Sequence, residues 1–335
     1  MRDPVTGFEY PEDWVRRCRE PGRLALAERG LAVLTADGTV LVRGFTTGTT
    51  ASAAAKAAVL SLAGGEVACV PVTIPCGLRV DVPVEAFAGR ATARKFAGDY
   101  PGDVTAGIAF VAEARPREEG IHLAFGDGIG RFSRDTPRFR AGAPAVSPPA
   151  MASTLGAVRE AAAAAGLAGV EVALHVPLGR EVAAKTLNPR IGVEGGISVL
   201  GTTGLVEPWD DHLTESALER VAAADDPVLT TGRTGLRYAR LRYPGREAIL
   251  VGGKIGPALA AVRGHATLFG LPGLILRFIR PGILEGTGFA TVEELAASPA
   301  FPGIVQETLA EFRTRFPATD VVLVDREGTI VGESP

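Results

Sequence analysis

The sequence predicts an α/β protein in two domains: an α+β N-terminal part and a C-terminal domain with a largely parallel sheet flanked by helices. Three observations predict it. Toward the C-terminus, strand-like apolar runs alternate with helix-like stretches, the pattern of a parallel sheet covered by helices. Three apolar runs end in Thr-Thr-Gly, at Thr46-Thr47-Gly48, Thr202-Thr203-Gly204 and Thr230-Thr231-Gly232. Ligands in open α/β sheets sit at such carboxyl-end loops, where Gly permits a sharp turn and Thr supplies a hydroxyl. Finally, 335 residues suit two cores better than one.

Residues 1–42 read as an appendage, with a short helix around Trp14. A hairpin then joins Leu31–Leu34 to Val40–Val42 across Ala36-Asp37-Gly38, since Asp-Gly between apolar runs marks a turn. An α+β domain is expected over residues 43–145. It opens with a Thr-capped, Ala-rich helix over Ala51–Ala63, after Gly44-Phe45-Thr46-Thr47-Gly48-Thr49-Thr50. Strands follow at Ala68–Ile74, Arg79–Val84, Glu85–Arg94, Ile108–Ala114 and Ile121–Phe125. The Pro-rich stretch Ala141–Met151 marks a boundary, and an α/β domain is expected over residues 150–335. Its helices are read at Ala152–Ala165, Glu181–Thr186, Thr214–Ala224, Ala258–Val262 and Ile304–Phe316. Its strands are read at Val170–Val176, Gly192–Leu200, Pro227–Leu229, Ala248–Val251 and Asp320–Val324.

Charge and composition narrow the function. A net charge of -3 argues against a general nucleic-acid binder. Arginines nevertheless cluster, at Arg131, Arg134, Arg138 and Arg140, and at Arg233, Arg237, Arg240, Arg242 and Arg246. Each cluster is either a solvated basic face or a grip for a substrate bearing several carboxylates. Cys18, Cys69 and Cys76 form no close-spaced metal or redox motif, which fits a reducing cytoplasm. His122, His175, His212 and His265 are scattered, and no protein-bound metal is expected. The start Met1-Arg2-Asp3-Pro4 carries no apolar signal, and no apolar run reaches membrane-spanning length. The expectation is a cytoplasmic protein acting on a small molecule, with neither nucleic acid nor membrane as partner and a homo-oligomer left open.

The densest constellation is Lys185–Pro208, which holds five glycines. Such a run weakens a purely structural element and makes sense where a backbone approaches a ligand. Gly126, Gly128 and Gly130 form a second glycine loop without the full dinucleotide spacing. Neither a phosphate-cradling GxxxxGK[ST] loop nor a GxSxG or HExxH motif is present.

The strings GFTTGTTASAAAKAA, KFAGDYPGDVTAGI and KTLNPRIGVEGGISVLGTTGLVEP together resemble the CbiD family, in order over roughly residues 42–255. The resemblance implies a cobalt-precorrin-5B C-1 methyltransferase of anaerobic cobalamin synthesis. It implies S-adenosylmethionine as donor, a carboxylate-bearing corrinoid as acceptor, and a two-domain α/β architecture. Thr50 stands where the family usually has Cys, so a thiol there is not essential to this chain. The stretch Gly252-Gly253-Lys254-Ile255-Gly256 replaces a family His-Ile-Gly-Lys, and residues 263–303 also differ.

Transfer from a sulfonium is an in-line displacement of an activated donor, so positioning and water exclusion dominate and no strong acid–base motif is needed. On this reading Gly195, Gly196, Ser198, Gly201, Thr202, Thr203, Gly204, Thr231 and Gly232 contact the donor. Thr46, Thr47, Gly48, Thr49, Gly128, Arg131, Lys185, Asn188 and Arg190 face the corrinoid. Asp99, Asp103 or Glu207 could assist a proton transfer or bind a donor hydroxyl, or could serve as caps. Two other readings stay open: a paralogue that binds or methylates another tetrapyrrole or acts as a carrier or regulator, and a nicotinamide-dependent oxidoreductase.

Overall fold

The computed structural model describes residues 1–136, 139–209 and 217–334. Arg138, His212 and the first residues of the expected Thr214–Ala224 helix lie outside the described residues. The chain divides into two compact units, Val42–Asp210 and Met1–Leu41 with Asp211–Pro335.

In the Val42–Asp210 unit, the helix Thr47–Leu60 is buried along almost its whole length. Its run of Ala and small polar residues is what permits this, because a thin helix packs closely on all sides. It lies against a six-stranded sheet and beside the helix Pro148–Ala164. The sheet order is Val67–Thr73, Arg79–Phe87, Arg90–Arg94, Ala109–Arg117, Gly169–His175, Gly120–Phe125. Its pairs are antiparallel except the last, which is parallel. Strict alternation along Arg79–Phe87 turns Val80, Val82, Val84 and Ala86 inward. The strand expected over Glu85–Arg94 breaks at Ala88 and Gly89, which take φ of 49° and 82° and form a tight hairpin. A Cβ at Gly89 would sit 2.8 Å from the Ala114 carbonyl oxygen, so the turn demands glycine.

The boundary expected near residues 145–150 falls inside this unit. The prolines there start a helix rather than end a domain: Ser147 is the N-cap residue and Pro148 and Pro149 occupy the first turn, where a missing N–H costs nothing. The strand expected over Gly192–Leu200 is also replaced. A short 3-10 turn, Asn188–Ile191, ends in left-handed Gly192, and Gly195 at φ 79° separates the two-residue strands Val193–Glu194 and Gly196–Ile197. The first pairs with Arg131–Phe132 and the second with Gly128–Ile129.

The other unit is built on a five-stranded sheet ordered Ala248–Leu250, Val228–Thr230, Ala266–Gly270, Thr319–Val324, Ile330–Glu333. The first four strands are parallel and the last is antiparallel. Val228–Thr230 and Ala266–Gly270 are buried throughout, as a sheet covered on both faces requires. Helices Ile255–Ala261, Pro272–Ile279 and Phe301–Arg315 contribute Ile255, Leu276, Leu309 and Phe312 to one core with Leu229, Leu268 and Val321. The expected Ala258–Val262 helix therefore starts earlier, and Ala266–Gly270 and Pro272–Ile279 are additions to the sequence reading.

Residues 1–41 are an integral layer of this unit, not an appendage. Phe8 packs on Tyr238 with ring centroids 5.2 Å apart, and the Ala36 amide donates to the Leu241 carbonyl at 2.8 Å. The second Arg cluster supplies the helix Arg233–Arg242, whose buried face is Leu236, Tyr238, Ala239 and Leu241. Arg242 lies over the Trp14 ring and donates to the Gly328 carbonyl, while Arg246 pairs with Asp226. Those two arginines are spent inside the fold.

Candidate functional site

The first two Thr-Thr-Gly segments meet in the Val42–Asp210 unit. Thr46, with extended backbone, caps the helix Thr47–Leu60 by accepting from the Thr49 amide at 3.2 Å. The Thr46 amide donates to the Gly204 carbonyl, and Thr49 Oγ1 donates to the same oxygen at 2.7 Å. Thr47 Oγ1 donates to the Ser198 carbonyl at 3.0 Å and accepts from the Leu200 amide at 2.8 Å. The Thr203 carbonyl accepts from the Cys76 amide. A Cβ at Gly201 would lie 2.4 Å from Thr46 Oγ1, and one at Gly48 would lie 2.8 Å from the Leu200 oxygen. The hydroxyls of Thr47 and Thr49 thus staple one loop to the other, while Thr202 is exposed.

A second junction lies at Gly128. Cβ atoms placed at Gly179 and Gly196 would fall 2.0 Å and 2.1 Å from the Gly128 oxygen. Asn188 spans this contact: its Nδ2 donates to the Gly196 carbonyl and its Oδ1 accepts from Ser198 Oγ, both at 3.0 Å. Asn188 and Ser198 are therefore buried positioning groups for the glycine segment. Around them the surface is basic and apolar. Lys185 and Arg190 are exposed and form no ion pair among the described residues. Arg131 donates to the Phe125 and Gly142 carbonyls. Leu178, Leu187, Ile191 and Leu200 also stand in solvent, though large aliphatic groups usually do not.

The three candidate acids are all engaged. Asp99 Oδ2 accepts from the Val42 amide at 2.9 Å. Glu207 pairs at 3.2 Å with Arg43, whose side chain is fully buried. Asp103 pairs with buried Lys95 and accepts from Thr105. Burial alone would push the Asp103 carboxyl up; hydrogen bonds from Lys95 and Thr105, with the Lys95 charge, outweigh it and hold it below the usual carboxylate range. These acids anchor chain segments, an outcome that residue type alone does not reveal.

The third Thr-Thr-Gly lies in the other unit, at the carboxyl end of Val228–Thr230. Gly232, at φ −158°, is the N-cap of Arg233–Arg242 and has no side-chain cap. A cavity of about 580 Å³ opens there. Thr231 and Gly232 form one wall, Leu271–Leu274 a second, and Asp325, Arg326 and Glu327 a third. The second and third walls were missed by sequence reasoning. The signal of the second is the apolar run Ala266–Gly270 followed by Leu-Pro-Gly, a strand running into a helix with Pro at its first position, and the third follows directly on the expected strand Asp320–Val324. Among the described residues no group of three or more His, Cys, Asp or Glu could hold a metal ion. No helix among them is long and apolar enough to cross a membrane.

The family model described as CbiD matches residues 34–208. The chain is 58% identical over 335 residues, with 100% of both chains covered, to a protein of Methanoregula boonei named cobalt-precorrin-5B C(1)-methyltransferase. A protein of Methanoculleus marisnigri with the same name is also 58% identical, over 337 residues and 100% of both chains. A crystal structure of a cobalamin biosynthesis protein (CbiD) from Archaeoglobus fulgidus aligns with TM-score 0.56 and 36% identity, over 97% of this chain and 100% of that one.

Proposed function

The chain belongs to the CbiD family and is a methyltransferase of cobalamin biosynthesis; we propose that its donor is S-adenosylmethionine and its acceptor carbon 1 of cobalt-precorrin-5B. The observation that carries this reading is the 58% identity over the whole length to relatives bearing that activity in their names. The aligned span includes residues 263–303.

In this proposal the protein contributes geometry more than acid–base chemistry. The methyl group leaves a sulfonium as the ring carbon attacks from the opposite side, and neutral S-adenosylhomocysteine departs. Alignment and exclusion of water supply the rate. Asp99, Asp103 and Glu207 hold the fold and take no proton in this scheme. Lys185, Arg190 and Arg131 grip peripheral carboxylates of the corrinoid, with Leu187 and Ile191 against its apolar body. Thr46, Thr47, Gly48, Thr49, Gly128 and Asn188 set the wall behind that surface. Three unpaired cysteines fit a reducing compartment.

Purified protein given S-adenosylmethionine and cobalt-precorrin-5B should release S-adenosylhomocysteine in step with loss of the corrinoid. Corrinoid binding without that release would contradict the reading. Replacing Lys185 and Arg190 together by Ala should raise KM for the corrinoid about tenfold or more, with KM for the donor unchanged.

A further inference from the structure

We infer that the methyl donor binds in the cavity at the carboxyl ends of strands Val228–Thr230, Ala266–Gly270 and Thr319–Val324, and that this cavity selects a sulfonium over a polyphosphate. The inference rests on the reading of S-adenosylmethionine as donor, and goes beyond it by choosing between two loops. The glycine segment Gly195–Gly204 and the turn at Thr231 lie in different compact units, and the second lines a cavity at the carboxyl ends of its strands.

Topology supplies the first argument. From Val228–Thr230 the chain moves to Ala248–Leu250 on one side, then returns to Ala266–Gly270 on the other. The connection after Val228–Thr230 goes to one side and the connection after Ala266–Gly270 goes to the other, to Thr319–Val324, so the loops after these two strands part and leave a crevice. Open parallel sheets bind ligands at such a reversal. Both loops line the cavity.

The lining supplies the second. Thr231 is 7% exposed, lines the cavity, and its hydroxyl bonds no group among the described residues. A nearly buried hydroxyl without a protein partner needs one from a ligand or solvent. The helices Arg233–Arg242 and Pro272–Ile279 both start at this wall without a side-chain cap, so their first amides can receive a carboxylate. Val292, Phe301 and Val331 make an apolar surface for a flat base. By contrast, Gly196, Gly201 and Gly204 of the other loop are backed by protein atoms within 2.6 Å of a notional Cβ. Their missing side chains are filled by the fold itself.

Charge supplies the third. The acids at the cavity are Glu293, Asp325 and Glu327, against one base, Arg326, which pairs with Glu293 at 2.9 Å. A net-negative rim repels the phosphates of a nucleotide or nicotinamide dinucleotide. It attracts a donor carrying both a sulfonium and an ammonium, and carboxylates also accept from ribose hydroxyls.

The test uses the full chain and calorimetric titration with S-adenosylhomocysteine and S-adenosylmethionine. Gly232 and Gly273 line the cavity, and a Cβ at either meets nothing within 4 Å. Gly232→Val and Gly273→Leu should therefore fold normally while filling the site. Each should weaken binding at least tenfold with little change in melting temperature. Thr231→Val should weaken it less, and Gly195→Ala in the other unit should leave it unchanged. ATP should not displace the bound ligand. Wild-type affinity in both Gly232→Val and Gly273→Leu overturns the site while leaving the donor reading intact, and equal competition by ATP overturns the charge selection. A wild-type chain that binds neither sulfur ligand contradicts the donor reading and the site with it.

Discussion

Single residues in this chain do their work mainly through what they exclude or hold. Lys95 and Asp103 form a pair in which both side chains are almost wholly buried. Removing one member leaves the other charged without a partner, so Asp103→Ala should cost about 3–5 kcal/mol of unfolding free energy, read by urea denaturation. The pair also sets a pH dependence. Its carboxyl is held below its ordinary value, so the stabilisation is present above about pH 4 and lost as pH falls through the lower folded-state value. Asp320 behaves alike: burial pushes it up, but bonds from Arg313 and His265 pull it down further. Melting temperatures taken from about pH 6 to pH 2 should fall, and fall less steeply in Asp103→Asn. At Gly201 a methyl group would strike Thr46 Oγ1, so Gly201→Ala should destabilise by about 1–3 kcal/mol, an effect that would be mistaken for lost ligand binding if activity alone were measured.

Elements were legible where a local rule coincided with the tertiary one. The Ala-rich helix with its Thr cap could be read because propensity, capping and burial agree, and Thr46→Ala should cost about 1 kcal/mol by the same logic. The strand Arg79–Phe87 could be read from its alternation, though its end at Ala88 could not, since a left-handed Ala leaves no mark in the sequence. The Pro-rich segment Ala141–Met151 misled because Pro starts helices as readily as it ends domains. The glycines of Lys185–Pro208 read as sites where a backbone approaches a ligand; in the fold Gly196 meets the Gly128 backbone and Gly201 the Thr46 side chain, while a Cβ at Gly195 would meet nothing within 4 Å, differences that the sequence does not carry. Ala266–Gly270 and its following helix escaped notice because a short apolar run without alternation reads equally as strand or buried helix.

At the scale of the molecule, the chain leaves one unit after Leu41, builds the other through Asp210, and returns. The N-terminal segment is bound to the helix Arg233–Arg242 by Phe8 against Tyr238 at 5.2 Å, with Trp14 against Phe8 at 5.8 Å. Trp14 is 5% exposed, so Trp14→Ala should cost about 3 kcal/mol and lower the melting transition of the unit that holds the Thr231 cavity. The three Thr-Thr-Gly turns thereby divide: two tie loops together within one unit, and the third opens on a crevice in the other. On the proposed reading this fold passes a methyl group directly from a sulfonium to a corrinoid. Its most direct test is mass spectrometry of cobalt-precorrin-5B after incubation with the protein and S-adenosylmethionine carrying an isotope-labelled methyl. The expected product is heavier by one intact labelled methyl; a corrinoid recovered bound to the protein but without the label would overturn direct transfer.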